Sequence, residues 1–166
     1  LNSRSGIKVE IDNTDAEGRL VLGDALTKAV EDKASLIIDF ATLTGAARTA
    51  LGPELPALFA NDDALANRIL DAADGVADPV WRMPLWAPYA EMLDSDIADT
   101  ANSGGVFAGA ITAALFLQKF VPDDVPWAHF DTYAWRGSAK PGRPKGGEAL
   151  GLRAVFRYLS QAYPVR

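Results

Sequence analysis

Two carboxylates and a guanidinium lie close together in the sequence, at Asp15, Glu17 and Arg19. In an extended segment, side chains at i and i+2 share one face, so Asp15 and Glu17 could converge on one cation or a close cation pair. Hard divalent metals prefer such oxygen ligands. Arg19 keeps its proton and would supply fixed positive charge for an anion or a developing oxyanion. The alternative is that the carboxylates only cap a helix start, where Arg19 forms a salt bridge.

The composition is that of an ordinary globular domain and argues against several kinds of partner. With 166 residues, 49% hydrophobic and 23% charged, the chain is long enough to build one domain with its own core. The net charge of -6 argues against nucleic-acid or anionic-membrane partners. The absence of cysteine excludes disulfides and thiolate metal ligands. Neither a signal peptide nor an apolar run of about 18 residues is found, which predicts a cytoplasmic protein.

The elements around the acidic motif are predicted from hydrophobic periodicity. Residues 8–11 alternate between polar and apolar and predict a strand, and residues 35–40 form an apolar run typical of a buried strand. Between them, a helix beyond Gly18 would bury one apolar face, made of Leu22, Ala25, Leu26, Ala29 and Val30. This order predicts a βαβ unit. Asp15 and Thr42 would then follow strand C-termini, where open α/β sheets bind ligands.

The remaining segments predict the rest of one α/β domain. We expect strands at residues 56–60 and 127–131, a helix capped by Asp62, and a buried helix over residues 108–120. A final helix would bury one face, made of Leu152, Val155, Phe156 and Leu159. The predicted fold is a mixed, mostly parallel sheet flanked by helices on both faces.

Five segments resemble, in order, the motifs of the leucyl aminopeptidase (cytosol aminopeptidase) family. The octapeptide Asn13-Thr14-Asp15-Ala16-Glu17-Gly18-Arg19-Leu20 resembles the family's hallmark motif, and residues 38–46 resemble its next active-site loop. Residues 80–85, 102–112 and 127–131 also match, so the resemblance covers essentially the whole chain. It implies a dinuclear metallo-exopeptidase that releases N-terminal amino acids from peptides.

The resemblance also implies roles for individual residues. Glu17 would bridge two divalent ions, zinc or manganese, and Asp15 would bind one of them. Arg19 would hold a bicarbonate that acts as general base toward a metal-bound hydroxide or water. Substrate contacts would come from Thr42, Leu43 and Gly45 at the first side chain, and from Asn13 and Ala16 near the leaving residue. The family forms hexamers, which implies a homo-oligomer.

Two departures from the family pattern affect the interpretation. The family's other ligands, a Lys and two Asp, and a second, catalytic Lys lie upstream of the motif, and residues 1–13 do not contain them. We therefore expect residues 1–166 to be the C-terminal portion of the catalytic domain, inactive alone. Residues 132–135 form a shorter segment than in relatives, and Tyr133 predicts a reshaped specificity pocket.

Other polar residues favour structural roles, and two rival functions remain. His129, the single histidine, lies in a buried-looking strand, and Asp39 and Asp131 end strands. Gly104 and Gly105 suggest a tight turn or close packing. One rival is a non-catalytic binding or assembly module with the same fold. The other is magnesium-dependent phosphoryl transfer, which would need a phosphate cradle such as G-x-x-x-x-G-K-[ST], and none is present.

Overall fold

The computed structural model describes residues 1–164. Along this part of the chain the elements follow in the order β1 (Val9–Glu10), α1 (Gly18–Glu31), β2 (Ile37–Ala41), α2 (Gly45–Leu51), β3 (Ala57–Ala60), α3 (Asp63–Asp74), β4 (Trp81–Arg82), β5 (Thr100–Ala101), α4 (Gly109–Gln118), β6 (Trp127–Asp131), β7 (Trp135–Arg136), β8 (Gly146–Gly147) and α5 (Leu152–Ala162). Two 3₁₀ segments, Thr14–Ala16 and Ala87–Leu93, join them. None of the helices described is long and apolar enough to cross a membrane.

The central sheet has four strands in the order β2-β6-β3-β4. The pairs β2–β6 and β3–β4 are parallel, and β6–β3 is antiparallel. One face packs against α3 and α5 through residues such as Ala128 and Phe130. The other packs against α1 and α4 through Ile37 and Trp127. The prediction of a mixed, mostly parallel sheet with helices on both faces is confirmed.

The predicted βαβ unit is wrong in its strand pairing. β1 does not join the central sheet but pairs in parallel with β5, with Val9 opposite Thr100. The Asp99 carboxylate also accepts a 2.7 Å hydrogen bond from the N–H of Lys8. Alternating hydrophobicity reports which face of a strand is buried, but it does not identify the partner strand. The partner here is about 90 residues away in sequence, at a short segment with no strand signal of its own.

Two helices bury faces that agree only in part with those predicted. In α1, Leu26 is buried and Leu22, Ala29 and Val30 pack on the core as expected, but Ala25 is exposed and Thr27 is buried. The cause is Gly23, where a β-carbon would lie 2.9 Å from the ring of Phe120. Because the ring packs directly on the helix backbone there, the buried face turns toward Gly23 and Thr27, whose hydroxyl donates a 2.9 Å hydrogen bond to the Gly23 carbonyl.

Helix α5 shows the same kind of error, since its predicted face includes exposed residues. Leu152 and Phe156 are exposed, whereas Val155 is buried and Leu159 packs on the core as predicted, and Ala154 and Tyr158 are buried beside them against α3. By contrast, the predictions for α3 are confirmed. Asp62 caps it by accepting a 2.6 Å hydrogen bond from the Leu65 N–H. The expected inward residues are buried: Leu65, Ile69, Ala72 and Ala73.

Candidate active site

All the site residues predicted from the sequence line one cleft of about 420 Å³. These residues are Asn13, Asp15, Ala16, Glu17, Arg19, Thr42, Leu43 and Gly45. The cleft has three walls: the acidic motif before α1, the loop between β2 and α2, and the loop before α4, residues 103–106. The structure therefore brings together segments that lie about 90 residues apart in sequence.

The acidic motif is not extended, so the sequence-based geometry for its carboxylates is wrong. Thr14–Ala16 form a 3₁₀ turn, and Glu17 has helical dihedral angles, φ -71° and ψ -32°. The turn begins because the Asn13 side chain accepts a 2.9 Å hydrogen bond from the N–H of Asp15, a common role for asparagine. Asp15 and Glu17 both reach the cleft, although they do not share the face of a strand.

A buried asparagine outside the motif, Asn102, holds the motif in place. Its side-chain oxygen accepts hydrogen bonds from the N–H groups of Asp12 (3.1 Å) and Asn13 (3.2 Å). Its side-chain nitrogen donates to the carbonyls of Asn13 (2.7 Å) and Ala16 (3.4 Å). The segment from Asn102 resembles the family, but the role of the Asn102 side chain was not predicted. No local pattern marks it, because the partners of the side chain lie about 90 residues away in sequence.

Arg19 is buried although it has no acidic partner in the part of the chain described. Only 8% of its surface is exposed. Its guanidinium donates a 2.8 Å hydrogen bond to the Asn102 carbonyl and lies 6.0 Å from the centre of the Phe116 ring. Burial lowers the pKa of Arg19, while the charges of Asp12 and Asp131 act in the opposite direction. Since Arg19 ends at the cleft without an ion pair in residues 1–164, the salt-bridge alternative has no support there.

The loop between β2 and α2 is held by Asp131 at the end of β6. One oxygen of its carboxylate accepts from the N–H groups of Leu43 and Thr44, both at 3.1 Å. The other accepts from the Thr44 hydroxyl at 2.6 Å, and that hydroxyl caps α2 through the Ala47 N–H. Burial raises the pKa of Asp131, although these hydrogen bonds favour the charged form. Asp131 thus holds this wall of the cleft in place through hydrogen bonds, which is the structural role expected for it.

The third wall depends on two glycines for different reasons. A β-carbon on Gly104 would lie 2.8 Å from the Thr112 side chain, so the loop packs directly on α4. Gly105 has φ +79°, which favours glycine. The expectation of a tight turn or close packing is confirmed as close packing, at Gly104.

His129 lies outside the cleft lining, in agreement with the structural role predicted for it. It is 1% exposed, and its Nδ1 lies 2.5 Å from Asp39 Oδ1. The second oxygen of Asp39 accepts a 2.7 Å hydrogen bond from the indole N–H of Trp127. The ring packs between Phe59 and Trp127. Trp127 is in the core, whereas Trp81, Trp86 and Trp135 are exposed.

The cleft offers the right kind of oxygen donors for divalent cations, but too few. The side chains of Asp15 and Glu17 are exposed, and within residues 1–164 neither accepts a hydrogen bond nor forms an ion pair. Their oxygens are therefore available to a hard cation. No group of three or more acidic, histidine or cysteine side chains that could hold a metal ion occurs in the described part of the chain. These residues fit part of a metal site, not a complete one.

Comparison with known proteins assigns this α/β domain to the peptidases. The model of the cytosol aminopeptidase family, catalytic domain, matches residues 1–156. The chain belongs to the cytosol aminopeptidase family, whose members are hydrolases of the aminopeptidase type.

Individual relatives agree with the assignment. A "Probable cytosol aminopeptidase" from Roseiflexus castenholzii is 51% identical over 162 residues, which are 96% of this chain and 33% of that protein. The crystal structure of a cytosol aminopeptidase from Coxiella burnetii superposes with a TM-score of 0.93 at 61% identity, covering 96% of this chain and 35% of the other. The bottromycin maturation enzyme BotP in complex with Mn gives 0.89 at 38% identity, with 97% and 37% covered. The chain thus spans about a third of the length of these relatives.

Proposed function

We propose that this chain forms part of the catalytic domain of a metal-dependent aminopeptidase that releases N-terminal amino acids from peptides. The observation that carries the proposal is the cleft itself, where two exposed carboxylates, Asp15 and Glu17, and the buried Arg19 line one wall and form no ion pair within residues 1–164. A buried charge that forms no ion pair, as Arg19 within residues 1–164, is costly in a folded protein. The convergence of Arg19 with two carboxylates in one cleft is typical of a site that binds charged ligands.

Asp15 and Glu17 would bind two divalent ions, with Glu17 shared between both. Bound ions would supply Lewis-acid polarisation of the peptide carbonyl and activation of water. Manganese or zinc is proposed, since carboxylate oxygens accept either. The remaining ligands, a Lys and two Asp by family resemblance, would come from outside residues 1–164. We use "complete protein" below for the polypeptide that contains this chain together with those ligands.

Arg19 would hold an anion at the cleft, and bicarbonate is the anion proposed. Its guanidinium is fixed on one side by the Asn102 carbonyl, which leaves its other N–H donors for a planar oxyanion. An anion held in this way can accept a proton from the attacking water. The low exposure of Arg19 strengthens the attraction, because water screens it less than at an open surface.

The peptide would lie against the loop between β2 and α2, with Thr42, Leu43 and Gly45 at its first residue and with Asn13 and Ala16 near the leaving residue. Asp131 already occupies the N–H groups of Leu43 and Thr44. The Thr44 carbonyl, as the N-cap of α2, accepts the first hydrogen bond of the helix. The backbone group left for the substrate is therefore the Leu43 carbonyl oxygen, which suits an N–H donor of a peptide.

We also propose a cytoplasmic homo-oligomer, a hexamer by family resemblance. Exposed Trp81, Trp86 and Phe156 supply apolar surface of the kind that subunit contacts use. The proposal includes no nucleic-acid or membrane partner, in keeping with the net charge of -6.

The direct test compares the 166-residue chain with the complete protein on an amino-acyl anilide in the presence of manganese or zinc. We expect negligible turnover by the chain alone, because part of the ligand set is missing, and turnover by the complete protein. Robust turnover by a homogeneous 166-residue preparation would show that this chain contains further ligands.

The incomplete set of metal donors in the described part of the chain also favours a second candidate function, a non-catalytic module. A complete protein that lacks the Lys and Asp ligands and shows no activity would support that module instead.

A further inference from the structure

We propose that Arg48 recognises a carboxylate of the peptide substrate at the edge of the candidate active site. This inference rests on the proposed aminopeptidase function and concerns the choice of substrate. Arg48 lies on α2, three residues after Gly45. Its Nη2 atom is 3.5 Å from the position that a β-carbon on Gly45 would occupy, and Gly45 lines the cleft. Since a β-carbon at that distance would be in ordinary contact with Nη2, the guanidinium lies directly beside the cleft wall.

Tyr133 holds the guanidinium in this position. The central carbon of the Arg48 guanidinium lies 4.8 Å from the centre of the Tyr133 ring, within range of a cation–π contact. The ring is half-buried, and the turn that carries it is fixed, since the Thr132 hydroxyl accepts a 3.3 Å hydrogen bond from the Ala134 N–H. Stacking uses the face of a guanidinium and leaves the N–H donors at its edges free.

Arg48 forms no ion pair within residues 1–164. Five other arginines there do pair with carboxylates, namely Arg4, Arg82, Arg136, Arg143 and Arg153. Arg48 is thus a positioned cation beside the cleft with its donors uncommitted. Arg48 lies in the last turn of α2, where a positive charge interacts favourably with the helix dipole. That interaction alone does not explain why the guanidinium stacks on Tyr133 and lies close to Gly45.

The ligand that matches this arrangement is a planar oxyanion, because a guanidinium edge donates two parallel hydrogen bonds to a carboxylate. Asp15 and Glu17 line the same cleft and would repel a substrate carboxylate. A fixed cation beside the wall that the loop between β2 and α2 forms would offset that repulsion. Peptides offer two sources of carboxylate near the scissile bond: the terminal carboxylate of a dipeptide, and the side chain of Asp or Glu in the first or second residue.

Three matched substrate pairs distinguish these sources in the complete, manganese-loaded protein. Leu-Gly against Leu-Gly-amide tests the terminal carboxylate, Leu-Glu-amide against Leu-Gln-amide tests the second side chain, and Glu-anilide against Gln-anilide tests the first. We expect the acidic member of one pair to be preferred by about tenfold in kcat/KM, the usual scale for a hydrogen-bonded charge pair. Arg48→Met should bring that ratio close to one, mainly through KM, and Arg48→Lys should restore it only partly.

Two further variants separate recognition from stability. Tyr133→Phe keeps the ring and should keep the preference, whereas Tyr133→Leu should reduce it. Arg68→Met is the matched control, since Arg68 also stacks on a tyrosine, Tyr158, but lies away from the cleft. It should leave every ratio unchanged. Equal ratios in wild type and Arg48→Met for all three pairs would overturn the inference while leaving the aminopeptidase function intact. Failure to hydrolyse even the neutral substrates would overturn the proposed function, and this inference with it.

Discussion

Charged side chains behave differently in two regions of this molecule. Near β7 and β8, the charges pair with one another: Arg136 bonds to Glu54 and Glu148, Lys140 to Glu54, and Arg143 to Glu148. We call these five residues the ionic cluster. In the cleft, Asp15, Glu17 and Arg19 lie close together in sequence and line one wall, yet they form no ion pair within residues 1–164.

This difference separates charges that stabilise the fold from charges that bind a ligand. Charges that satisfy one another stabilise the local fold modestly and need no ligand. A buried charge without a partner, such as Arg19 within residues 1–164, costs stability unless a ligand completes it, whereas exposed carboxylates that form no ion pair there, such as Asp15 and Glu17, are free to bind a ligand. We therefore expect substitutions in the cleft to change ligand binding and turnover, and substitutions in the ionic cluster to change stability alone.

The largest effect is expected for the two cleft carboxylates. In the complete protein, Glu17→Ala should remove a shared ligand and disturb both bound ions, whereas Asp15→Ala should weaken mainly one. Elemental analysis of the purified variants measures this directly, and Glu148→Gln in the ionic cluster serves as the control with two ions retained. Two tightly held ions in Glu17→Ala would rule out a shared ligand at that position.

The next effect concerns Asn102, which positions the motif without touching the proposed substrate. Asn102→Ala leaves two N–H groups and two carbonyls without their partner, so we expect a loss of about 2–4 kcal/mol in unfolding free energy, together with reduced kcat. Asn61 is a matched control, because it also bridges backbone groups, those of Val125 and Trp127, outside the cleft. Asn61→Ala should lower stability but leave kcat unchanged. An equal loss of kcat in both variants would mean that Asn102 acts only through overall stability.

The smallest effect is a pH dependence of opposite sign in the two regions. Hydrogen bonds from Arg136 and Lys140 lower the pKa values of Glu148 and Glu54, respectively, from 4.5. Their stabilisation is therefore present above pH 4.5 and is lost as the pH falls through the lowered pKa values. Burial raises the pKa of Asp131 from 3.8. Its contribution is fully present below pH 3.8 and is lost as the pH rises through the raised pKa.

Denaturant unfolding of the complete protein at about pH 3.5 and about pH 6.5 tests these signs. The double variant Glu54→Gln and Glu148→Gln should differ from wild type more at the higher pH, with the variant less stable. Asp131→Asn should also show its larger pH-dependent difference at the higher pH, but with the opposite sign. The free energy of unfolding of this variant should rise relative to that of wild type as the pH rises. The same sign in both variants would contradict the contrast between the regions.

The sequence predicted local features of the fold well where neighbouring residues determine them. The cap at Asp62 and the buried face of α3 depend on contacts a few residues apart and on a regular helical period. The motif residues predicted the cleft for a different reason. They resemble the motifs of a family, and the motifs of a family are known from proteins in which the fold has already brought them together. Neither kind of evidence required knowledge of the distant contacts.

Distant contacts account for what the sequence analysis missed or predicted wrongly. Asn102 and Asp131 position cleft segments that lie about 85–90 residues away in sequence, and no local pattern marks such partners. The pairing of β1 with β5 was missed for the same reason. In the motif, the Asn13 side chain accepts a hydrogen bond from the Asp15 N–H, which favours a 3₁₀ turn over the extended segment that was predicted.

Arg19 provides the most direct test of the claim that the unpaired charges in the cleft perform the chemistry. Arg19→Met keeps an apolar stem in the buried site and removes the charge, and Arg19→Lys keeps a charge without the planar donors. The experiment measures kcat and the melting temperature of both variants in the complete, metal-loaded protein. The account predicts that kcat falls by about 10²–10⁴-fold in Arg19→Met, with partial recovery in Arg19→Lys and with the melting temperature maintained. A normal kcat in Arg19→Met would contradict it.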